Sequence, residues 1–229
     1  CVGDYVSVGE KLADVRVKGS GQPPDLGPLR KLFPLNEQRD LDHDAAFGID
    51  QLLTIGWTAA STSKSNPHPS TLACEHLRDL IASWYPAGHD RHGSGSEPPQ
   101  QAEPEPPLIY VDTVPISLLR AFESLAVVAS ESMQHQTLAH VYRALALASR
   151  RMPDQLSEEI QGIVDRSLSC LGDQVLTAEL ADAIDELAEA LREQGMDAAQ
   201  LVRAKSELSC SRGRLNARST RANASKVGI

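Results

Sequence analysis

Arg39, Asp44, Gln51, Ser61, Asn66 and His68 fall within one short, polar stretch of the chain and are its best candidates for chemistry. Arg39 and Asp44 can pair, Gln51 projects about two turns further along a helix, and the loop carrying Ser61 and Asn66 can donate hydrogen bonds. Together they outline a polar pocket for a ligand or ion. The same side chains can equally cap a helix and pin a proline-containing loop, because buried backbone groups need partners in any case. As chemistry, Arg39, Asp44, Asn66 and His68 suit a metal- or ion-dependent hydrolase. As structure, they secure one helix and its loop.

Asp42, His43 and Asp44, with His68, offer carboxylates and imidazoles, both common metal ligands. Consecutive helical residues point about 100° apart, so the first three cannot converge unless the helix start is distorted. No metal site is assigned. His89-Asp90-Arg91-His92 has a ligand-like spacing, but it lies in a Pro/Gly tract without a rigid shell and reads as solvated. His135 and His140 fall on different faces of one helical pattern.

For nucleophilic catalysis the loop serines lack a glycine-flanked elbow, and no histidine stands at a recognisable spacing from them. Gly93 and Gly95 lead into Glu97-Pro98-Pro99 and not into a helix start, so they do not cradle phosphate. No catalytic residue is assigned, and the cofactor is left open.

These residues need a scaffold, and the composition allows one. A chain of 229 residues can bury roughly 70–75% of its unfolded surface. Aromatic residues make up only 4%, so Leu, Ala, Ile and Val must fill the core. The formal charge of −9 argues against nucleic acid as a partner, because phosphate binding needs clustered cations. The longest run without a charge, Gln51 to Ser63, falls short of the roughly 20 apolar residues that a membrane helix needs. Cys1, Cys74, Cys170 and Cys210 lie too far apart for a disulfide scaffold or a zinc spacing. Cys74 and Cys170 sit in amphipathic patterns that suit small buried thiols.

The predicted fold class is α+β, mainly α: a small β-rich N-terminal element, an αα-hairpin, then a helical bundle. Residues 1–25 hold short β-type runs around glycines, then a Gly/Pro/Ser loop. The run from Gly3 to Val15 resembles half of a lipoyl-type hammerhead, without a suitably placed lysine to mark a carrier. Residues 26–85 carry the αα-hairpin with its polar loop. Its first helix starts at Asp42 or Asp44 and places Ala45, Ile49, Leu52, Leu53 and Trp57 on one face. Its second helix, from about Ser70 to Trp84, buries Ala73, Leu77, Leu80, Ile81 and Trp84.

A Pro/Gly/Ser/Glu-rich linker is predicted over 86–107, since it has too few apolar residues to offset its ordering entropy. The helical bundle occupies 108–208, opening on a short strand at Leu108–Val111. Helices follow at about 116–130, 134–150, 154–171, 177–193 and 197–208. The fourth is the clearest, with Leu180, Ile184, Leu187 and Leu191 in one stripe behind a Thr177 cap. Asp197 with Gln200 resembles a capping box. Residues 209–229 are predicted to be a basic disordered tail, with Arg212, Arg214, Arg218, Arg221 and Lys226 and no acid.

The stretch Gln38-Arg39-Asp40-Leu41-Asp42-His43-Asp44-Ala45-Ala46-Phe47-Gly48-Ile49-Asp50-Gln51-Leu52, followed by Ile55, Ser61 and Asn66-Pro67, resembles the soluble part of the DUF2254 family of predicted bacterial membrane proteins. That family carries an Arg, an Asp, Phe-Gly and Gln-Leu at this spacing before a Ser-Pro/Asn-Asp-Pro loop. Two positions depart from it: Asn66-Pro67-His68-Pro69 stands where Asn-Asp-Pro is expected, and Thr58 lies near the place of an Arg. The resemblance implies a soluble domain of an integral membrane protein at the cell membrane, with spans preceding Cys1. The reduced cysteines point to the cytoplasmic side. The membrane is then a partner through those spans, and self-association is a further possibility. The function expected is a non-enzymatic sensory, assembly or accessory role. The alternatives are the hydrolase above and a domain that regulates a transporter or channel.

Overall fold

The computed structural model describes residues 44–62, 66–93 (backbone alone over 84–93), 112–172 and 174–210, together with Val6, Ser7, Lys11, Asp25, Gly27, Arg39 and Leu41. The elements among them are helical: α1 (Ala45–Thr62), α2 (His68–Gly93), α3 (Val114–Glu131), α4 (His135–Arg151), a 3₁₀ turn (Asp154–Leu156), α5 (Ser157–Leu171), α6 (Ala178–Glu193) and α7 (199–210).

The described residues are therefore all-α, and the α+β expectation is corrected. Val6, Ser7 and Lys11 carry no strand; the rest of the proposed β-rich run, like Leu108–Val111, lies outside the described residues. Alternation marks a strand only where a second strand takes up its N–H and C=O groups, and a short, glycine-punctuated run guarantees no such partner. A second correction concerns α2, which continues through Pro86 to Gly93 and takes in the start of the predicted linker. Proline costs a helix one hydrogen bond, yet propagation is cheap once the earlier turns have formed. At the other end of α2, Pro69 sits in the first turn, where its missing N–H is no loss.

Two compact units divide the chain, Cys1–Gly48 and Ile49–Ile229. The second is a helical bundle in which the most extensive packing is of α4 on α6, then of α2 and α3 on α4 and of α3 on α5. Cross-contacts fix the directions. Arg143 reaches Glu179 and Glu186, while Arg150 reaches Glu186 and Glu193, so α4 and α6 run parallel. Ser70 meets Thr137 and Glu75 meets His140, which makes α2 parallel to α4. Arg166 binds Glu123, and Gln174 binds the Ser130 carbonyl, giving α3 and α5 the same relation. The bundle is thus a stack of helical hairpins, with α2, α4 and α6 side by side in one layer and α3 and α5 in another. This packing arises in helical-repeat proteins because each hairpin needs its neighbours to bury its apolar face.

Helix α4 lies at the centre, with Leu138, Val141, Tyr142, Leu145 and Ala148 all buried. The Tyr142 hydroxyl donates to the Ser167 carbonyl at 3.1 Å, which satisfies it inside the core. Burial pushes its pKa up, so it stays a neutral donor. Where α1 crosses its neighbours, Gly56 is buried, and a Cβ built there would lie 2.9 Å from Leu125 Cδ2 and 3.1 Å from Ala73 Cβ. Glycine permits that close approach.

The helix ends are closed by side chains and turns. Thr177 Oγ1 accepts the Leu180 N–H at 3.2 Å, as its position predicts. At Asp197 the predicted capping box is only half realised. Asp197 Oδ1 accepts the Ala199 N–H, but its own N–H goes to Gln161 Oε1 of α5 at 3.0 Å. Leu201 and Leu208 of α7 are buried and close the end of the stack. No helix among the described residues is long and apolar enough to cross a membrane.

Candidate functional site

In the first unit, Arg39 and Asp44 meet. Arg39 Nε donates to Asp44 Oδ2 at 2.7 Å, and the guanidinium carbon sits 5.0 Å from the centroid of the Phe47 ring. The buried Asp44 is the N-cap of α1, its Oδ1 accepting the Phe47 N–H at 3.0 Å. A carboxylate placed there satisfies a first-turn donor and opposes the helix dipole. The bond from Arg39, helped by those from the Phe47 and Ala46 backbone, outweighs burial and holds the Asp44 carboxyl below the usual carboxylate range. Phe47 is a member of this group that its residue type alone did not reveal. It matters as an aromatic face on which the guanidinium rests.

The other candidates lie in the second unit, each with a local task or facing water. Gln51 is exposed on α1. Ser61, also exposed, donates to the Thr58 carbonyl one turn back at 3.1 Å. Asn66 Oδ1 accepts the His68 N–H at 3.2 Å, a turn that leads the chain into α2, and both residues are exposed. Among the described residues, that Asn66–His68 bond is the one hydrogen bond joining any two of Gln51, Ser61, Asn66 and His68. No group of three His, Cys, Asp or Glu side chains among the described residues is placed to hold a metal ion.

Sequence reasoning missed a buried polar group among the described residues of the second unit. Ser70, Gln134 and Thr137 are buried together. Ser70 Oγ lies 2.7 Å from Thr137 Oγ1, 3.0 Å from Gln134 Oε1 and 2.7 Å from the Pro67 carbonyl oxygen. Thr137 Oγ1 lies 3.0 Å from Gln134 Oε1, and Gln134 Nε2 donates to the Ala60 carbonyl at 2.9 Å. Two hydroxyl protons serve these contacts, so the bonds form in alternative pairs. The group joins the end of α1, the start of α2, the α3–α4 turn and α4. Nothing local in the sequence announces it, because its members come from distant parts of the chain.

Cys74 is buried as its amphipathic pattern predicts, and burial pushes its thiol up to about 12, which leaves it protonated and a poor nucleophile. Cys170 is also buried and shifts in the same direction.

Among the described residues the geometry defines an all-helical protein, its second unit a stack of hairpins, in which Asp44 and Asn66 serve a helix start and a turn while Gln51 faces water. Comparison with protein-family models, with curated proteins and with solved structures found no match.

Proposed function

We propose that this chain is a non-enzymatic accessory or assembly module of a membrane-associated protein, contributing to sensing or assembly and not to turnover. The observation that carries this reading is the engagement of Asp44. One carboxylate oxygen is held by Arg39 and the other by the Phe47 N–H of the first turn of α1, so both oxygens of the acid best suited to catalysis already have structural partners. The membrane context draws on the resemblance of residues 38–52 to DUF2254. Ile55 and Trp57 on α1, with Leu72 and Leu80 on α2, leave large apolar side chains exposed and offer contact area for a second copy or another chain.

The test is to assay activated carboxylic and phosphoric esters, with and without Mg²⁺ or Zn²⁺, using the wild type and Asp44→Asn, and to follow self-association by sedimentation. The account predicts no turnover that depends on Asp44. Turnover abolished by Asp44→Asn, with the helical circular dichroism unchanged, overturns it.

A further inference from the structure

Along the α2–α4–α6 layer, charged side chains form one continuous run, and a single histidine sits within it. His140 of α4 places Nδ1 3.6 Å from Glu75 Oε1 of α2 and Nε2 3.8 Å from Glu179 Oε1 of α6. Both separations exceed a hydrogen bond. Arg143 of α4 reaches the same Glu179 oxygen at 3.4 Å, and Arg78 of α2 adds a second positive charge nearby. The run continues from Arg143 to Glu186, Arg150 and Glu193. His140 is the member of this run whose ordinary titration range lies closest to neutral pH.

We propose that His140 makes the packing of α2 and α6 on α4 sensitive to acid: the imidazole is neutral in the folded stack, and conditions that protonate it loosen this junction. The geometry sets opposing effects against one another. Bringing an imidazolium out of water into this half-buried position costs solvation. Glu75 and Glu179 favour the charge, but their side chains are 43% and 36% exposed, so water screens them, and Glu179 is shared with Arg143. Arg143 and Arg78 oppose a further cation.

The balance holds the His140 pKa below its ordinary value of 6.5, with desolvation the largest cause. A base whose folded pKa is depressed contributes its full stability above its unfolded value. That stability is lost as pH falls from there towards the folded pKa, because the unfolded chain takes up the proton first. This device is independent of the accessory role proposed above.

Denaturant unfolding of the wild type and of His140→Gln between about pH 7.5 and pH 5 reads it directly. The other histidines are common to both proteins, so the difference between the two profiles isolates this one. The wild-type folding constant should fall more steeply below about pH 6.5, by up to about tenfold per pH unit relative to the variant. Parallel profiles overturn the proposal. If the variant does not fold, a proton NMR titration of His140 in the wild type decides: a midpoint below 6.5 supports the proposal, and a midpoint at or above it overturns it. Glu179→Gln should move that midpoint lower, and a rise contradicts the electrostatic account.

Discussion

Gln134 Nε2 donates to the carbonyl oxygen of Ala60 at 2.9 Å, which ties the turn after α3 to the end of α1. The carbonyl belongs to the last turn of a helix, where it has no partner within the helix itself. Gln134 supplies one, while its Oε1 faces the hydroxyls of Ser70 and Thr137. A side chain from the α3–α4 turn thereby completes α1.

Gln134→Leu keeps most of the volume but removes both ends of that bridge. The Ala60 carbonyl loses its donor, and the two hydroxyls lose their shared acceptor. The expected cost is about 1–3 kcal/mol, the range for a buried polar group left without a partner. Urea unfolding checks it through a lowered midpoint at unchanged slope. An unchanged midpoint would show that the polar group is dispensable to the fold.

Gly56→Ala should destabilise despite the better helix propensity of alanine. Propensity favours the substitution by about 1 kcal/mol. The new methyl, however, meets Leu125 Cδ2 at 2.9 Å and Ala73 Cβ at 3.1 Å, both in a packed interior. Overpacking of this kind costs about 1–3 kcal/mol. A net loss of about 1–2 kcal/mol follows from the upper part of that range, and a rise in thermal midpoint would show that α1 can move away freely.

Two helices end in the same turn with different residues at the left-handed position. After α3, Met133 takes φ 57°, with the Gln134 N–H bound to the Ala129 carbonyl at 2.8 Å. After α6, Gly195 takes φ 71°, with the Met196 N–H bound to the Leu191 carbonyl at 2.8 Å. Both are Schellman closures, in which glycine is the unstrained choice. Gly195→Ala meets no neighbour within 4 Å, so its cost is one of backbone alone, about 1 kcal/mol. Met133→Gly should move stability in the opposite direction, by less than about 1 kcal/mol, because glycine also frees the unfolded chain and the contact of Met133 Sδ with Gln174 Nε2 at 3.5 Å is lost. Thermal melts of the two variants should shift in opposite senses.

The contrast between α6 and α1 shows what the sequence reveals. In α6 the stripe of Leu180, Ile184, Leu187 and Leu191 is wholly buried behind its Thr177 cap, as its periodicity predicts. A helix with one apolar face and a polar remainder leaves little choice. In α1 the inward line is Ile49, Gly56 and Ala60, while Trp57, predicted on the buried face, is 39% exposed. Glycine and alanine carry almost no hydropathy signal, so a face built on close approach is nearly silent in the sequence. Leu80 of α2, whose spacing likewise predicts a core position, is 39% exposed. Its neighbours Leu77 and Ile81 occupy the inward face, and an extra leucine in the pattern has no room there.

The candidate site divides along the same line. Arg39, Asp44 and Phe47 are close in sequence, and a helix start brings them together by local geometry alone. The groups around Gln134 and His140 depend on which helices stack, information that resides in packing between distant segments. The hairpin stack itself has no audible sequence repeat, so its parallel, alternate-helix register emerges only from contacts such as Arg150 with Glu193.

The central claim is that Asp44 serves the first turn of α1, and the most direct measurement is the stability of the wild type, Asp44→Asn and Asp44→Ala as a function of pH. Near neutral pH, Asp44→Ala should lose about 1–2 kcal/mol, and Asp44→Asn less, because asparagine also caps. The Asp44 carboxyl is held below its ordinary value of 3.8, so its contribution is complete above that value and is lost as pH falls through the folded pKa. The wild type and Asp44→Ala should therefore converge in acid. An Asp44→Ala protein as stable as the wild type at neutral pH, but deprived of a binding or catalytic activity, would contradict the account.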